Sequence, residues 1–143
     1  MNKPGYPIHI RYNDLDTYGH VNNAVYITYL EEGRTKWFQD KVKENWEWDK
    51  QGILLARHEI NYQLPVFFND ELRIVLWISS IGSKSFEVSF KMIKRIGSEW
   101  KSCTHGKSTA VCFDYRTQKT IEIPDEWLGV FKDGGEEPEI NRV

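Results

Sequence analysis

The sequence predicts an α+β domain in which one long helix packs against an antiparallel sheet. Two observations indicate this fold class. Apolar residues recur at helical spacing from Asn22 to about Asp40, whereas the segments after about residue 56 alternate between apolar and polar residues, as half-buried strands do. The 143 residues are enough for one domain with a real core and too few for two ordinary ones. We therefore expect a single domain over residues 1–143, with a flexible tail from about residue 133.

The predicted helix has a well-defined apolar face. Tyr26, Leu30 and Trp37 recur at helical spacing, and Gly33 lies in the same stripe. Glycine in the middle of a helix costs about 1 kcal/mol relative to alanine. We therefore expect another backbone to pack closely against Gly33.

Alternating patterns predict a sheet of five or six strands. In chain order, the candidate strands are 8–13, a strand from Ala56 that Pro65 ends, 72–81, the segment around 86–92, and 100–114. We expect Gly82 and Gly97 to form hairpin turns at positive φ, which makes the sheet antiparallel. Gly106 is interpreted as a bulge in the last strand. Residues 41–52 have no clear pattern and are interpreted as a linker whose two tryptophans are not fully solvated, and Pro124 is expected to begin a short helical turn.

Composition and charge exclude several classes of protein. The formal net charge is −2, and the 19 basic residues are scattered without a run, so we expect no nucleic-acid partner. No stretch approaches the roughly 20 apolar residues of a membrane span, and the N-terminus lacks the apolar segment of a signal peptide. Cys103 and Cys112 are interpreted as reduced core thiols. We therefore expect a cytoplasmic protein without a membrane partner.

Residues 14–23, Asp-Leu-Asp-Thr-Tyr-Gly-His-Val-Asn-Asn, concentrate the reactive side chains immediately before the helix. The carboxylate of Asp16 precedes the free backbone N–H groups of the helix start, whose partial positive charge stabilises an anion. Gly19 permits a tight reversal between them because it tolerates positive φ, and Asn22 or Asn23 is a suitable N-cap. Ordinary connections between a strand and a helix contain the same residue types, so composition alone leaves both interpretations open.

Two other residues of this segment have alternative roles. His20 lies four residues after Asp16, so both side chains approach one spot if the segment is a helical turn. The alternative for His20 is a hydrogen bond that fixes the loop. Asp14 is interpreted first as a residue that caps or brackets a turn.

Residues 14–23 resemble the opening signature of hotdog-fold acyl-CoA thioesterases of the 4-hydroxybenzoyl-CoA thioesterase type. The resemblance continues through Ala24, Tyr26, Tyr29, Leu30, Glu31 and Arg34, and later through Tyr62, Pro65-Val66, 69–72 and 84–86. The segment is also similar to the Asp-x-Asn-x-His-Val-Asn-Asn signature of plant acyl-carrier-protein thioesterases, although Tyr18 stands where that signature has asparagine. This implies a single hotdog domain, with a long central helix wrapped by the sheet.

The resemblance also implies a hydrolytic site. It aligns Asp16 with the family's catalytic carboxylate, which acts either as a nucleophile that forms a mixed anhydride or as a general base on water. It places the oxyanion donor at the backbone N–H of Asn23. His20 is included as a third catalytic residue, and the departure at Tyr18 keeps its loop-fixing alternative open.

Substrate contacts are expected at two places. Lys84 and Ser85 occupy a position that resembles the nucleotide-phosphate contact region of these thioesterases, with Arg57 or Lys107 as additions. The alternative for each cation is a solvated surface side chain.

Nearer the predicted site, Gly19, Asn22 and His58 are expected to contact substrate, although His58 is in phase with core positions and is also interpreted as a hydrogen-bonded core histidine. The four histidines have no metal-ligand spacing, so we predict neither a metal nor a cofactor.

The resemblance implies an acyl-CoA substrate, or an acyl-carrier protein, and a homodimer or homotetramer whose sites lie at the subunit boundary. Such pairing would cover the open edge of the last strand. Two other functions remain open from the sequence. One is a hotdog enoyl-CoA hydratase or dehydratase, although the Asp-x-Asn-Pro-x-x-His pattern of those enzymes is absent. The other is a non-catalytic module that binds acyl-CoA.

Overall fold

A computed structural model of the chain describes residues 3–42, 44–133 and 136–138. In chain order the elements are β1 (Tyr6–Ile8), a 3-10 helix (Tyr12–Asp14), α1 (Val25–Lys41), β2 (Gln51–Tyr62), β3 (Leu72–Ile81), β4 (Ser85–Ile96), β5 (Glu99–Asp114), β6 (Lys119–Thr120) and α2 (Asp125–Asp133). Most of the predicted tail lies outside the described residues. In the described part of the chain, neither helix combines the length and the apolar character that a membrane crossing requires.

The six strands form one antiparallel sheet in the order β1-β3-β4-β5-β2, with β6 paired to the end of β5. This confirms the predicted α+β class and the hotdog arrangement of one long helix on an antiparallel sheet. The expected open edge of the last strand is wrong, because β5 lies between β4 and β2. The open edges belong to β1, which is only three residues long, and to β2, which has twelve.

Helix α1 buries the predicted apolar face against the sheet. Tyr26, Leu30 and Trp37 are buried, as the spacing indicates. A Cβ atom on Gly33 would lie 2.6 Å from Cγ2 of Ile74 in β3. The close neighbour of Gly33 is therefore a side chain rather than the predicted backbone. Both cysteines are buried and unpaired, as predicted.

An aromatic cluster closes the C-terminal end of α1. Trp127 and Phe131 of α2 are fully buried and pack on Phe38 of α1. The rings of Trp46 and Trp48 pack at a tilt on Trp127, with centroid distances of 5.1 and 5.4 Å. The segment before β2 is therefore packed against the core, which agrees with the expectation that its tryptophans are not fully solvated.

Three local predictions are wrong. The segment 8–13 is not a strand, because β1 ends at Ile8 and the Asp14 carboxylate accepts a hydrogen bond from the Arg11 N–H, which closes a turn. Positive φ occurs at Gly97, at +64°, but not at Gly82. Gly106 is not a bulge: it stays in register with both neighbouring strands, and its lack of a side chain leaves room for the backbone of β2.

Candidate active site

The segment before α1 is a tight β-like hairpin rather than a helical turn. The Asp16 N–H donates to the His20 carbonyl oxygen at 2.7 Å, and the Gly19 N–H donates back to the Asp16 carbonyl oxygen at 3.1 Å. The Asn22 N–H donates to the Asp14 carbonyl oxygen at 2.8 Å. Gly19 has φ +81°, which confirms the predicted reversal at this position.

The backbone of its own hairpin holds the Asp16 side chain in place. Oδ1 accepts hydrogen bonds from the N–H groups of Tyr18, at 2.9 Å, and His20, at 3.2 Å. Within the described residues, Oδ2 has no hydrogen-bond partner. Asp16 is half-buried and borders a cavity, so one oxygen orients the carboxylate and the other remains free to react.

The start of α1 leaves a backbone donor beside the same cavity. The helix begins at Val25, and Ala24 occupies the N-cap position without a side-chain cap. The prediction that Asn22 or Asn23 is the N-cap is therefore wrong. Asn22 lies two residues before Ala24, and its Oδ1 accepts the Ala24 N–H at 3.0 Å. The Asn23 N–H has no acceptor among the described residues. Such an unpaired donor at a helix start is suited to bind an oxyanion.

The cavity has a volume of about 270 Å³ and two walls. One wall consists of the hairpin and the helix start, with Asp16, His20, Asn23 and Tyr26. The other is the end of β2 and the residues that follow, including Tyr62 and Pro65. Tyr62 Oη donates to the Asn23 carbonyl oxygen at 3.0 Å and so joins the two walls.

His20 lies at the rim of this cavity. Its ring meets Phe67 edge to face, with centroids 4.9 Å apart, and its backbone forms an isolated bridge with Phe67. The His20 N–H is one of the two donors to Asp16 Oδ1. His20 therefore makes a hydrogen bond that fixes the loop, which was one of its two predicted roles. The donor is its backbone N–H and not its imidazole.

The second wall is held by a buried lysine that the sequence analysis did not select. Lys94 Nζ donates to the Pro65 carbonyl oxygen at 2.7 Å and to Asp70 Oδ2 at 3.1 Å. Asp70 Oδ2 also accepts the Phe67 N–H at 2.8 Å. The alternation of β4 could have indicated that Lys94 is buried, because Lys94 follows Phe90 and Met92 at the spacing of inward-facing residues.

His58 lies away from the cavity, on β2. Its Nδ1 is 2.7 Å from Ser108 Oγ, and the ring is half-buried. Burial lowers the pKa of His58, the nearby Arg34 guanidinium lowers it further, and Glu31 opposes them. This environment favours the neutral imidazole, as the core interpretation expects.

Lys84 and Ser85 lie at the opposite end of the sheet from Asp16. Ser85 pairs with Val111 of β5, whereas Tyr62, at the cavity, pairs with Thr104. Seven residues of β5 separate these levels, which is roughly 24 Å at strand spacing. One copy of the chain therefore does not bring its own Lys84 and Ser85 to its own Asp16.

Across the described part of the chain, no group of three or more His, Cys, Asp or Glu side chains is arranged to hold a metal ion. The absence of a metal from the reaction stays a prediction.

Comparison with known proteins identifies the family. A family model described as the thioesterase-like superfamily matches residues 10–131. The chain belongs to this superfamily. It is 30% identical over 122 residues to the long-chain acyl-CoA thioesterase FadM of Escherichia coli (strain K12), covering 83% of this chain and 89% of that protein. It is 27% identical over 124 residues to the uncharacterized protein YsmA of Bacillus subtilis (strain 168), covering 83% of this chain and 78% of that one.

Solved structures share the fold. A thioesterase from Thermus thermophilus, complexed with coenzyme A and Zn, has a TM-score of 0.78 at 24% identity, covering 94% of this chain and 98% of that one. The 1,4-dihydroxy-2-naphthoyl-CoA thioesterase Slr0204 from Synechocystis has a TM-score of 0.77 at 16% identity, covering 90% and 94%. The family match and the relatives confirm the resemblance to hotdog thioesterases and the prediction of a thioester hydrolase. The roles of individual residues stay predictions.

Proposed function

We propose that the protein hydrolyses an acyl-CoA thioester to the free acid and coenzyme A, with Asp16 and the Asn23 N–H acting on the thioester carbonyl. One observation carries this proposal: among the described residues, a half-buried carboxylate with one oxygen that has no hydrogen-bond partner and a helix-start N–H without an acceptor border the same cavity. Hydrolysis of a thioester needs both groups. The names of relatives such as FadM support the acyl-CoA part of the proposal.

The Asn23 N–H stabilises the negative charge that develops on the carbonyl oxygen. The donor is fixed before substrate arrives, because the Asn22 N–H before it is bonded to the Asp14 carbonyl oxygen and the Asn23 carbonyl oxygen after it is bonded to Tyr62. One well-placed donor of this kind contributes about 2.7–4 kcal/mol to transition-state stabilisation. The helix dipole adds to this effect in the first turn.

Asp16 supplies the attacking group through Oδ2. As a nucleophile it forms a mixed anhydride with the acyl group and expels the coenzyme A thiolate, and water then hydrolyses the anhydride. As a general base it removes a proton from water, which attacks the carbonyl carbon directly. Both versions use the same geometry, and rapid-quench mass spectrometry distinguishes them because only the first yields an acylated enzyme.

The leaving group needs little help from the protein. A thiol with a pKa of about 8.5 departs as thiolate without a strong general acid. His20 is therefore proposed to shape the rim of the site and to hold Asp16 through its backbone N–H. This assignment fits the incomplete plant-type signature at Tyr18.

A second copy of the chain would complete the site. Strand β2 presents an open twelve-residue edge with exposed Leu54 and Tyr62, and a two-fold axis through this edge pairs it antiparallel with itself. The Gln51 end of one β2 then lies beside the Tyr62 end of the other. Because Ser85 is at the Gln51 end, this pairing brings Lys84 and Ser85 of a second copy toward Asp16.

This pairing gives Lys84 a role on the nucleotide phosphates of coenzyme A. The other predicted cations are already in ion pairs, Arg57 with Glu59 at 3.6 Å and Lys107 with Glu87 at 3.8 Å. Both a homodimer and a homotetramer can contain the β2 pairing.

The test of the proposal is the Asp16→Asn protein, assayed by thiol release from short, long and aromatic acyl-CoAs. The amide keeps an oxygen that accepts the Tyr18 and His20 N–H groups, so the hairpin is preserved. We expect a loss of at least about 100-fold in kcat/KM. Retention of full activity would reject the assignment of Asp16.

Asp114 provides a matched control, because its Oδ1 also accepts two backbone N–H groups, from Arg116 at 2.9 Å and Thr117 at 3.1 Å. The hydrogen-bond partners of its side chain are Gln51, Arg116 and Thr117 rather than Lys84 or Ser85, so Asp114→Asn should leave kcat/KM unchanged. The same assay separates the other functions. Hydration of an enoyl-CoA without thiol release would favour a hydratase, and tight acyl-CoA binding without either reaction would favour a binding module.

A further inference from the structure

A buried tyrosine in α1 is bonded to the hairpin that carries Asp16. Tyr29 Oη donates to Asp14 Oδ2 at 2.6 Å, although the two residues are 15 positions apart in sequence. Tyr29 is 3% exposed and faces the sheet from the second turn of the helix. Asp14 is only two residues before Asp16. The bond therefore links the carboxylate segment directly to the helix whose start supplies the Asn23 N–H.

Asp14 accepts three hydrogen bonds. Its Oδ2 accepts the Arg11 N–H at 2.9 Å in addition to the Tyr29 hydroxyl, and its carbonyl oxygen accepts the Asn22 N–H at 2.8 Å. Asn22 precedes Asn23, and Tyr29 follows it. The hairpin is thus attached to the chain on both sides of the proposed oxyanion donor, which fixes its position relative to the helix start.

The Tyr29 bond is well suited to hold this geometry. A hydrogen bond from a hydroxyl to a carboxylate is shorter and stronger than one between neutral groups. Burial, and then the bond and charge of Asp14, raise the pKa of Tyr29 far above its ordinary value. The phenol therefore keeps its proton, and the donor is present throughout the neutral pH range.

We infer that Tyr29, through Asp14, is a positioning residue that sets the distance between the Asp16 carboxylate and the Asn23 N–H. The inference rests on the proposed function, since it concerns the same two reacting groups. Misplacement of a reacting group by about 1 Å can cost on the order of 100-fold in rate. Tyr29 does not border the cavity, so its loss should affect the chemical step more than substrate binding.

The chain contains a matched control for this bond. Tyr6 Oη donates to Asp40 Oδ2 at 2.7 Å and also attaches the N-terminal segment to α1 through a phenol and a carboxylate. Burial and Asp40 raise the pKa of Tyr6 as well. Asp40 lies eleven residues beyond Tyr29, which is about 16 Å along the helix axis. Tyr6→Phe therefore removes the same type of bond without touching the hairpin.

The experiment compares Tyr29→Phe with Tyr6→Phe in the full chain, by steady-state kinetics at a temperature where both are folded. We expect Tyr29→Phe to lower kcat by about 10-fold or more with KM within about two-fold, the pattern for a loss restricted to the transition state. Tyr6→Phe should leave both constants within about two-fold of the parent values. Equal kcat values for the two variants would overturn the inference.

A double-variant comparison excludes a general loss of packing. If Tyr29 acts through Asp14, the combination of Tyr29→Phe with Asp14→Asn should lower kcat no further than the worse single variant. Additive losses would contradict the inference. The Asp14→Asn protein also provides the test if Tyr29→Phe does not fold, because it weakens the same bond while keeping an acceptor oxygen.

An activity-independent readout separates this inference from the proposed function. The amide N–H groups of Tyr18 and His20 bind Asp16 Oδ1, so their NMR resonances report the position of the carboxylate. They should shift in Tyr29→Phe and not in Tyr6→Phe. Unchanged resonances would refute the positioning role, whereas a parent protein that releases no thiol, with resonances that shift as expected, would refute only the proposed function.

Discussion

The two ends of helix α1 differ in what they leave unsatisfied. At the N-terminal end, Ala24 provides no side-chain cap, and the Asn23 N–H has no acceptor among the described residues beside the cavity. At the C-terminal end, the Val42 N–H closes the helix on the Phe38 carbonyl oxygen at 2.8 Å, beneath a layer of aromatic rings. One end therefore holds the polar groups of the proposed site, and the other holds a large part of the core.

This division suits the proposed site, because polar groups without partners and a well-packed core occupy different ends of one helix. An unpaired donor and a carboxylate with a free oxygen cost stability wherever they are withdrawn from water. The aromatic end contributes the compensating burial, because each large ring removes roughly 150–250 Å² of surface from water. Changes at the aromatic end should thus alter stability, and changes at the hairpin end should alter catalysis.

The largest expected effect on stability is at the aromatic end. Trp127→Ala removes a fully buried ring that packs on Phe38 and Trp46, and we expect it to lower the free energy of unfolding by about 3–5 kcal/mol. Urea denaturation provides the measurement. Trp48→Ala is the control, since Trp48 packs on Trp127 but is 38% exposed, and should cost less. Equal losses of unfolding free energy in both variants would contradict the central place of Trp127 in the aromatic core.

A smaller effect is expected at two glycines, which together distinguish a loss of stability from a loss of catalysis. Gly19 and Gly97 both have positive φ, +81° and +64°, and an added Cβ would meet no atom within 4 Å at either position. Alanine at each should therefore cost about the same, roughly 1–2 kcal/mol of backbone strain. Only Gly19→Ala should also lower kcat/KM in the thiol-release assay, because Gly19 is in the Asp16 hairpin. If both variants lose the same fraction of activity, the Gly19 hairpin has no greater role in catalysis than the Gly97 turn.

The smallest expected effect is on the pH dependence of stability and is caused by His58, which interacts with Arg34 in the middle of α1. Its lowered pKa in the folded state, caused by burial and by Arg34, means that the unfolded chain binds a proton more readily. The associated stability is fully present above the unfolded pKa of about 6.5 and is lost as the pH falls through the lower folded value.

His58→Asn should flatten the decline in stability on acidification, measured by urea denaturation at about pH 7.5 and about pH 5.5. Glu31 and Arg34 of α1 and Ser108 of β5 stay in place in this variant, so they provide a common background. An unchanged slope below about pH 6.5 would assign the acid sensitivity to other groups.

The sequence predicted those parts of the fold that depend on local spacing. The strand β3 was predicted at its observed bounds, and the start of α1 within about three residues. Both predictions rest on the spacing of apolar side chains, which repeats every two residues in a strand and every 3.6 in a helix. The identity of the edge strand could not be predicted in this way. It depends on which strands pair across the sheet, and the resemblance to known thioesterases did not prevent the wrong assignment to β5.

The candidate site also has features that local sequence predicts and contacts that it does not predict. The turn at Gly19 follows from the conformational freedom of one residue, and the hairpin residues could be selected from their chemistry. The bond from Tyr29 to Asp14 and the support of Pro65 by Lys94 join residues that are 15 and 29 positions apart. No local pattern encodes such contacts, since they exist only after the helix and the sheet have packed.

The most direct test of the account is a crystal structure with an acyl-CoA analogue in which a methylene group replaces the thioester sulfur. The resulting ketone is not hydrolysed and keeps the carbonyl. We predict that the carbonyl oxygen lies about 2.7–3.1 Å from the Asn23 nitrogen, with the Asp16 carboxylate facing the carbonyl carbon. A carbonyl bound out of reach of both groups, with Asp16 turned toward bulk solvent, would contradict the account.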